Sequence, residues 1–272
     1  MKIFVCVQSC KRELFTKSAK FLTSSYRRIS TYLNLPLKSY YFTGTGSDMN
    51  YINGDEIMLA GSDTDTSEKA YHLFETILYA NFMNFNVLVR TNTSTVTNIK
   101  KLYEFLCSDE YDRNTAYCGG LVNHWRTDAP DIIYPNGNFY IFSREICTTL
   151  FTNWLESRNK VKELYNISDD FGKNDSNIQW TGVPEDLLTG FILKENNIPV
   201  KRIWNFLNFR DTVSENIDYI GPDIYDYIGI YAKTHLTDLK SRTAIEPGII
   251  EFLSLMFESH ACNRSYSNPE QT

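Results

Sequence analysis

No stretch of this chain is an apolar run of the roughly 20 residues that a bilayer span requires. The N-terminal run Ile3-Phe4-Val5-Cys6-Val7 stops at Gln8 and Ser9, too short for a signal-peptide core. A soluble, cytoplasmic protein without a membrane span is therefore expected. A basic excess is missing too: 27 Lys and Arg against 33 Asp and Glu leave a net charge of −6. That balance argues against the broad cationic face of a nucleic-acid binder, while local basic clusters still suffice for a diphosphate. There is no G-x-G-x-x-G and no G-x-x-x-x-G-K-[ST], which counts against the common dinucleotide and P-loop designs. The chain has no internal repeat, no low-complexity tract and no Pro/Ser-rich linker, so residues 1–272 are expected to form a single domain. Six cysteines (Cys6, Cys10, Cys107, Cys118, Cys147 and Cys262) are too scattered to read as a disulfide framework. Cys6 and Cys10 lack the second Cys/His pair of a structural zinc site. They read as buried strand-end residues, and most of the six as free thiols. His72, His124 and His235 show no metal-type spacing.

What is present is enough apolar material for a large core: 42% of residues are hydrophobic and 14% aromatic, which sets a disordered chain aside. Residues 3–7 form a continuous apolar run, as expected of a central strand buried on both faces. A helix is expected from about Thr16 to Ile29, then a strand at Ser39-Tyr40-Tyr41-Phe42-Thr43. Asp65 and Glu68 are spaced like a capping box ahead of a helical stripe of Tyr71, Phe74, Leu78 and Phe82. Val87 to Arg90 reads as a strand. Asn98 reads as the N-cap of an amphipathic helix carrying Ile99, Leu102, Tyr103 and Leu106. Phe139 to Phe142 is a further strand, followed by a helix over about Arg144 to Leu155. Residues 157–178, rich in Asn, Asp and Lys, read as a surface excursion. Pro184 opens a helix that Asn196-Asn197 closes. Alternating strands and helices predict an α/β fold, with ligands held at the carboxyl ends of the parallel strands.

Four segments, in order, resemble motifs of the β-1,3-galactosyltransferase and fringe group, family 31 of glycosyltransferases. Asn86-Val-Leu-Val-Arg-Thr-Asn-Thr-Ser-Thr-Val-Thr-Asn98 is similar to that family's strand with its acidic metal motif. Tyr134-Pro-Asn-Gly-Asn-Phe-Tyr-Ile-Phe-Ser143 resembles a shortened form of its Tyr-Pro-x-Tyr-x-x-Gly-x-Gly-Tyr-x-x-Ser block. Pro184-Glu-Asp-Leu-Leu-Thr-Gly190 resembles its Glu-Asp-Val-x-x-Gly helix start, and Gly54-Asp-Glu-Ile57 its Gly-Asp-Ile stretch. The likeness spans about residues 3–210. It implies the GT-A fold, a Rossmann-like mixed, mostly parallel sheet flanked by helices. A nucleotide-sugar-binding half (1–97) would be followed by an acceptor-binding half (98–272).

The resemblance further implies an inverting transfer from a UDP-sugar such as UDP-galactose, UDP-GlcNAc or UDP-xylose to a hydroxyl of a glycan or glycoconjugate, with Asp186 as the base. One carboxylate must take the proton of the acceptor hydroxyl while that oxygen attacks the anomeric carbon. A helix N-terminus suits such a carboxylate. Acidic enrichment of a first helical turn is the plainer reading of Glu185 and Asp186. Gln8, Ser9, Arg12 and Arg90 are the donor-side candidates, with Asn92, Thr93 and Ser94 at the position of the acidic triplet. Amides and hydroxyls lack the anionic oxygens that hold Mn²⁺ or Mg²⁺, so a metal cofactor and a metal-independent form are both open, and no organic cofactor is expected. Asp63-Thr64-Asp65 spells D-x-D, but its place before a helix makes Asp65 an N-cap in preference to a ligand. Lys233, His235, Lys240 and Arg242 are candidates for neutralising the leaving diphosphate; a solvated basic face is the other reading. Tyr134, Gly137, Trp180 and Glu185 are acceptor-side candidates. Their aromatic rings would stack on sugars, and Gly137 and Ser143, flanking the strand, would admit the sugar to the backbone.

The lost acidic triplet also opens a second function: a catalytically inactive glycosyltransferase-like protein serving as a chaperone or sugar-binding module. An unrelated α/β nucleotide-binding protein is the third. For the enzyme reading, the absent anchor departs from Golgi-resident animal members and points to a bacterial or large-DNA-virus enzyme.

Overall fold

Strand β1 (Ile3–Gln8) alternates its side chains between two apolar layers: Ile3, Val5 and Val7 enter one, Phe4 and Cys6 the other. A run of five apolar residues is thus what a strand covered on both faces requires. The computed structural model of the protein describes residues 1–79, 84–123, 133–168, 182–208, 222–232 and 239–266. After β1 come α1 (Glu13–Tyr32), β2 (Leu37–Gly44), the antiparallel pair β3 (Tyr51–Asn53) and β4 (Glu56–Leu59), α2 (Thr66–Tyr79), β5 (Val87–Asn92), β6 (Thr95–Thr97) and α3 (Ile99–Leu106). The second half contains β7 (Ala116–Cys118), β8 (Leu121–Asn123), β9 (Ile133–Pro135), β10 (Phe139–Ser143), α4 (Arg144–Tyr165), α5 (Glu185–Glu195), β11 (Val200–Arg202), β12 (Phe206–Asn208), a 3₁₀ turn Pro222–Asp226, β13 (Gly229–Tyr231) and α6 (Leu239–Tyr266).

Eight strands form one sheet in the order β11-β7-β10-β5-β1-β2-β4-β3. β1 is parallel to both β2 and β5, and β2 to β4. β10 runs antiparallel to β5 and β7, so β7, and β11 parallel to it, again point the same way as β1. The fold is a mixed α/β one with a large, mostly parallel central sheet flanked by helices. One face carries α1, α3 and α6, the other α2, α4 and α5. β12, β13 and β6 make a small second sheet, and β8 pairs with β9. Among the described residues no helix is long and apolar enough to cross a membrane.

Local chemistry accounts for most boundaries. Asn98 accepts from the amide of Lys101 at 3.2 Å and so caps α3. The C-cap of α5 is Asn196, followed by Asn197 at φ 53. Helix α1 is longer than the expected Thr16–Ile29. α4 continues through Tyr165, because Trp154, Val161 and Tyr165 keep one buried stripe running beneath the polar residues read as an excursion. Asn166 ends it in the left-handed region at φ 48. Phe82 lies outside the described residues. All six cysteines are free; Cys6 is buried in the middle of β1 and only Cys10 lies past its end. The long C-terminal helix α6 was not expected from its sequence. It packs Ile250, Leu253, Phe257 and Ala261 against α1.

Candidate functional site

The chain runs outward from β1 through β2 and β4, then returns to the other side of β1 with β5, so the strand order reverses between β1 and β5. Open α/β sheets hold ligands in the crevice at the carboxyl ends of such a pair. Gln8 and Asn92 end these strands side by side in register. Ser9 follows, buried at 4% exposure, and exposed Arg12 occupies the N-cap position of α1 without a side-chain cap bond.

One carboxylate ties these loops together. Asp63 accepts from the backbone amides of Lys11 (2.6 Å) and Gly44 (2.9 Å), and the ammonium of Lys69 lies 3.5 Å away. Lys69 is buried and donates to the carbonyl of Ser9 at 3.0 Å. Burial pushes its pKa down and Asp63 pulls it back up. Asp65 caps α2: its Oδ1 accepts from the amide of Glu68 at 2.9 Å, and its Oδ2 from Arg158 at 2.6 Å. Glu68 does not close the reciprocal box, because its carboxylate turns back to the amide of Ser62 at 2.8 Å.

Arg90 gathers three acceptors near the carboxyl end of β5. It projects from β5 on the α5 side of the sheet, buried to 3% exposure, and donates to Gln8 Oε1, the Gly137 carbonyl and Glu185 Oε2. Its guanidinium carbon lies 5.1 Å from the Tyr140 ring centre. Three sequence-predicted residues, Gln8, Gly137 and Glu185, thus meet on a fourth. The guanidinium faces protein partners, so the donor-ligand expectation for Arg90 meets a buried ion pair with Glu185.

Asp186, next to Glu185 in the first turn of α5, is half-buried, and its Oδ1 accepts from the amide of Leu187 at 2.9 Å. It adjoins Gly137, where an added Cβ would sit 3.6 Å from Asp186 Cβ and Oδ2. Burial pushes the Asp186 carboxyl up, opposed by the Leu187 amide, the Arg90 charge and the Gly137 amide. Burial likewise raises Glu185, with the Asp186 charge adding to it and Arg90 opposing. Tyr134 is buried and pushed up to about 12, first by burial and then by Asp186. At Asp186 desolvation thus outweighs the helix N-terminus in setting the direction of the shift.

Asn92-Thr93-Ser94 forms the turn between β5 and β6. The Asn92 Oδ1 accepts from the amide of Ser94 at 3.1 Å and the hydroxyl of Thr95 at 3.0 Å. Across from the turn, Ser94 Oγ lies 3.5 Å from Glu246 Oε2, a buried carboxylate of α6. Among the described residues no group of three or more His, Cys, Asp or Glu side chains is placed to hold a metal ion.

Trp180, Lys233 and His235 lie outside the described residues, and Lys240 and Arg242 fall in the first turn of α6. Ser143 is removed from the crevice: it pairs with Val87 at the opposite end of β10 and caps α4 through Ile146 N at 3.3 Å. Lys69 and Glu246 were missed. Lys69 reads as one more polar residue of an amphipathic helix, and Glu246 lies 152 residues from its partner, so no local signal marks either.

No family model and no curated protein matches this chain. Solved structures similar to it include a glycosyltransferase involved in the glycosylation of the major capsid of PBCV-1 (TM-score 0.48, 11% identity, 93% of this chain and 100% of that one). The galactosyltransferase LgtC in complex with donor and acceptor sugar analogs is similar at TM-score 0.48 and 10% identity over 94% of this chain and 96% of that one. The glycosyltransferase GlyE of Streptococcus pneumoniae TIGR4 is similar at TM-score 0.47 and 9% identity over 98% of this chain. The chain spans 64% of the GlyE structure. All three are glycosyltransferases.

Proposed function

We propose that the protein is an inverting glycosyltransferase of the GT-A kind, related to the family 31 group, that moves a sugar from a UDP-sugar to a hydroxyl of a glycan. The observation that carries this reading is the placement of Asp186, one residue after the buried Glu185–Arg90 pair and against Gly137 at the ligand end of the sheet. In the proposed step the Asp186 carboxylate accepts the proton of the acceptor hydroxyl as its oxygen bonds to the anomeric carbon. The bond from that carbon to the diphosphate breaks on the opposite face, and UDP leaves with the electron pair. A carboxyl whose pKa is raised by burial is a stronger base than an ordinary aspartate. The donor would lie over Gln8, Ser9 and Arg12 in the 1–97 half. The acceptor would approach Gly137 and Tyr134 from the 98–272 half.

The reading includes metal independence. Asn92, Thr93 and Ser94 offer neutral oxygens, and the Asn92 carbonyl is engaged in its own turn, a donor set that does not fit Mn²⁺ or Mg²⁺. The charge on the diphosphate would then fall to basic side chains, with Arg12, Lys233, His235, Lys240 and Arg242 the candidates. The same turn favours the second reading, a sugar-binding relative without turnover.

Calorimetric titration with UDP-galactose, UDP-GlcNAc and UDP-xylose, each with Mn²⁺ or with EDTA, tests the proposal. Binding that EDTA leaves unchanged supports it, and no binding by any of the three ends it. Asp186→Asn is expected to bind donor while losing nearly all turnover. Donor binding by a wild-type protein that transfers no sugar favours the inactive relative.

A further inference from the structure

We infer that Arg90 is a positioning residue for Asp186: it leaves the donor's diphosphate untouched and clamps Gln8, Gly137 and Glu185 together so that the residue after Glu185 is presented at the carboxyl end of the sheet. This inference rests on the reading of Asp186 as the base. A diphosphate ligand needs an accessible charge with free donors. Arg90 is not accessible: its charge is met by Glu185, and its one nitrogen without a partner, Nε, is buried as well.

Its acceptors come from three parts of the chain: the end of β1, the turn before β10, and the first residue of α5. A planar guanidinium fork can serve three acceptors at once, and the Tyr140 ring lies against its face. Glu185 is held a second time through its amide, which donates to Thr66 Oγ1 at 3.4 Å. The first turn of α5 is therefore fixed to β5 and to α2, and Asp186 inherits that position. Gly137 is held through its carbonyl by Arg90 and lies against Asp186, whose Cβ and Oδ2 would be 3.6 Å from an added Cβ.

The clamp also acts on charge. The groups around Asp186 are Glu185 beside it on α5, Arg90 on β5, Tyr140 on β10 and Tyr134 on β9, with Lys69 of α2 beyond Glu185. Arg90 is the cation among them that opposes the burial of Asp186. Without it Asp186 loses ionisation as well as place.

Arg90→Gln and Arg90→Lys separate the two effects. Affinity for UDP is read by calorimetry, turnover by UDP release from UDP-galactose, UDP-GlcNAc and UDP-xylose, and the Asp186 titration by carboxyl ¹³C NMR. For Arg90→Gln we expect unchanged UDP affinity, a kcat lower by about 100-fold from misplacement of the base, and an acid limb moved to higher pH. Arg90→Lys keeps the buried charge but cannot reach all three acceptors. Its kcat should fall less and its acid limb stay in place, and it carries the test if Arg90→Gln does not fold. Weakened UDP binding at unchanged kcat would make Arg90 a donor ligand and overturn the inference. So would wild-type kcat in Arg90→Lys, or a wild-type Asp186 titration in Arg90→Gln. The NMR titration needs no turnover, so it decides the Arg90–Asp186 coupling even if the wild-type protein transfers no sugar, the result that would instead remove the proposed reaction.

Discussion

A Cβ added to Gly190 would lie 2.3 Å from the Cβ of Tyr134 and 2.9 Å from its Cα, so α5 and β9 meet there almost backbone to backbone. Two of the motifs found in the sequence are thus in direct contact. The contact sets how α5 lies across the sheet, and with it where Asp186, one turn earlier, comes to rest.

Gly190→Ala is therefore expected to destabilise the protein by about 1–3 kcal/mol through overpacking. The better helix propensity of alanine recovers at most about 1 kcal/mol of that. Urea denaturation measures the loss. Turnover should fall further than stability explains, because the first turn of α5 tilts away from Gly137.

Asp65→Ala removes both the cap of α2 and the partner of Arg158. A loss of about 1–2 kcal/mol is expected from the cap. Asp65→Asn keeps an acceptor for the Glu68 amide and gives up only a partly exposed ion pair, worth about 1 kcal/mol or less. Neither change should alter UDP affinity, which separates a cap from a metal ligand; a selective loss of Mn²⁺-dependent binding would restore the D-x-D reading.

The raised pKa of Asp186 has a sign for stability as well as for rate. The folded state favours its protonated form, so folding stability falls as pH rises from the unfolded value near 3.9 through the higher folded value. Asp186→Asn removes that penalty and keeps an acceptor for the Leu187 amide. Thermal unfolding should show it more stable than wild type at pH 7, with the advantage gone below about pH 4. In the wild type the acid limb of kcat/KM should lie above the ordinary aspartate range.

Thiol labelling of the native protein should begin at exposed Cys107 and proceed more slowly at half-buried Cys10 and Cys262. Cys6 and Cys118, each raised to about 12 by burial, and Cys147, raised well above its usual value for the same reason, should react only in denaturant. Mass mapping after a brief pulse of iodoacetamide distinguishes the two groups.

The elements that were legible in the sequence carry their own cause. The run at residues 3–7 has to be covered on both faces, Asn98 satisfies an amide of its own helix, and the Pro184 to Asn197 segment is bounded by residues that start and stop helices. Gln8 is singled out by its place at the end of the first strand, whereas Gly137, Glu185 and Asp186 are singled out because their segments resemble motifs of the family 31 group.

What the sequence by itself determined is thus the α/β alternation, the strand and helix cores, and which residue types stand at the carboxyl ends of the parallel strands. Tertiary structure alone decided their partners. Arg90 reads as a loose cation at a strand end until α5 folds over it and supplies Glu185, 95 residues away. Only the same packing desolvates Asp186, puts Lys69 beneath Ser9 and brings Glu246 to Ser94. Propensity and periodicity act within a few residues along the chain, whereas burial and ion pairing depend on which distant segments the sheet order brings together.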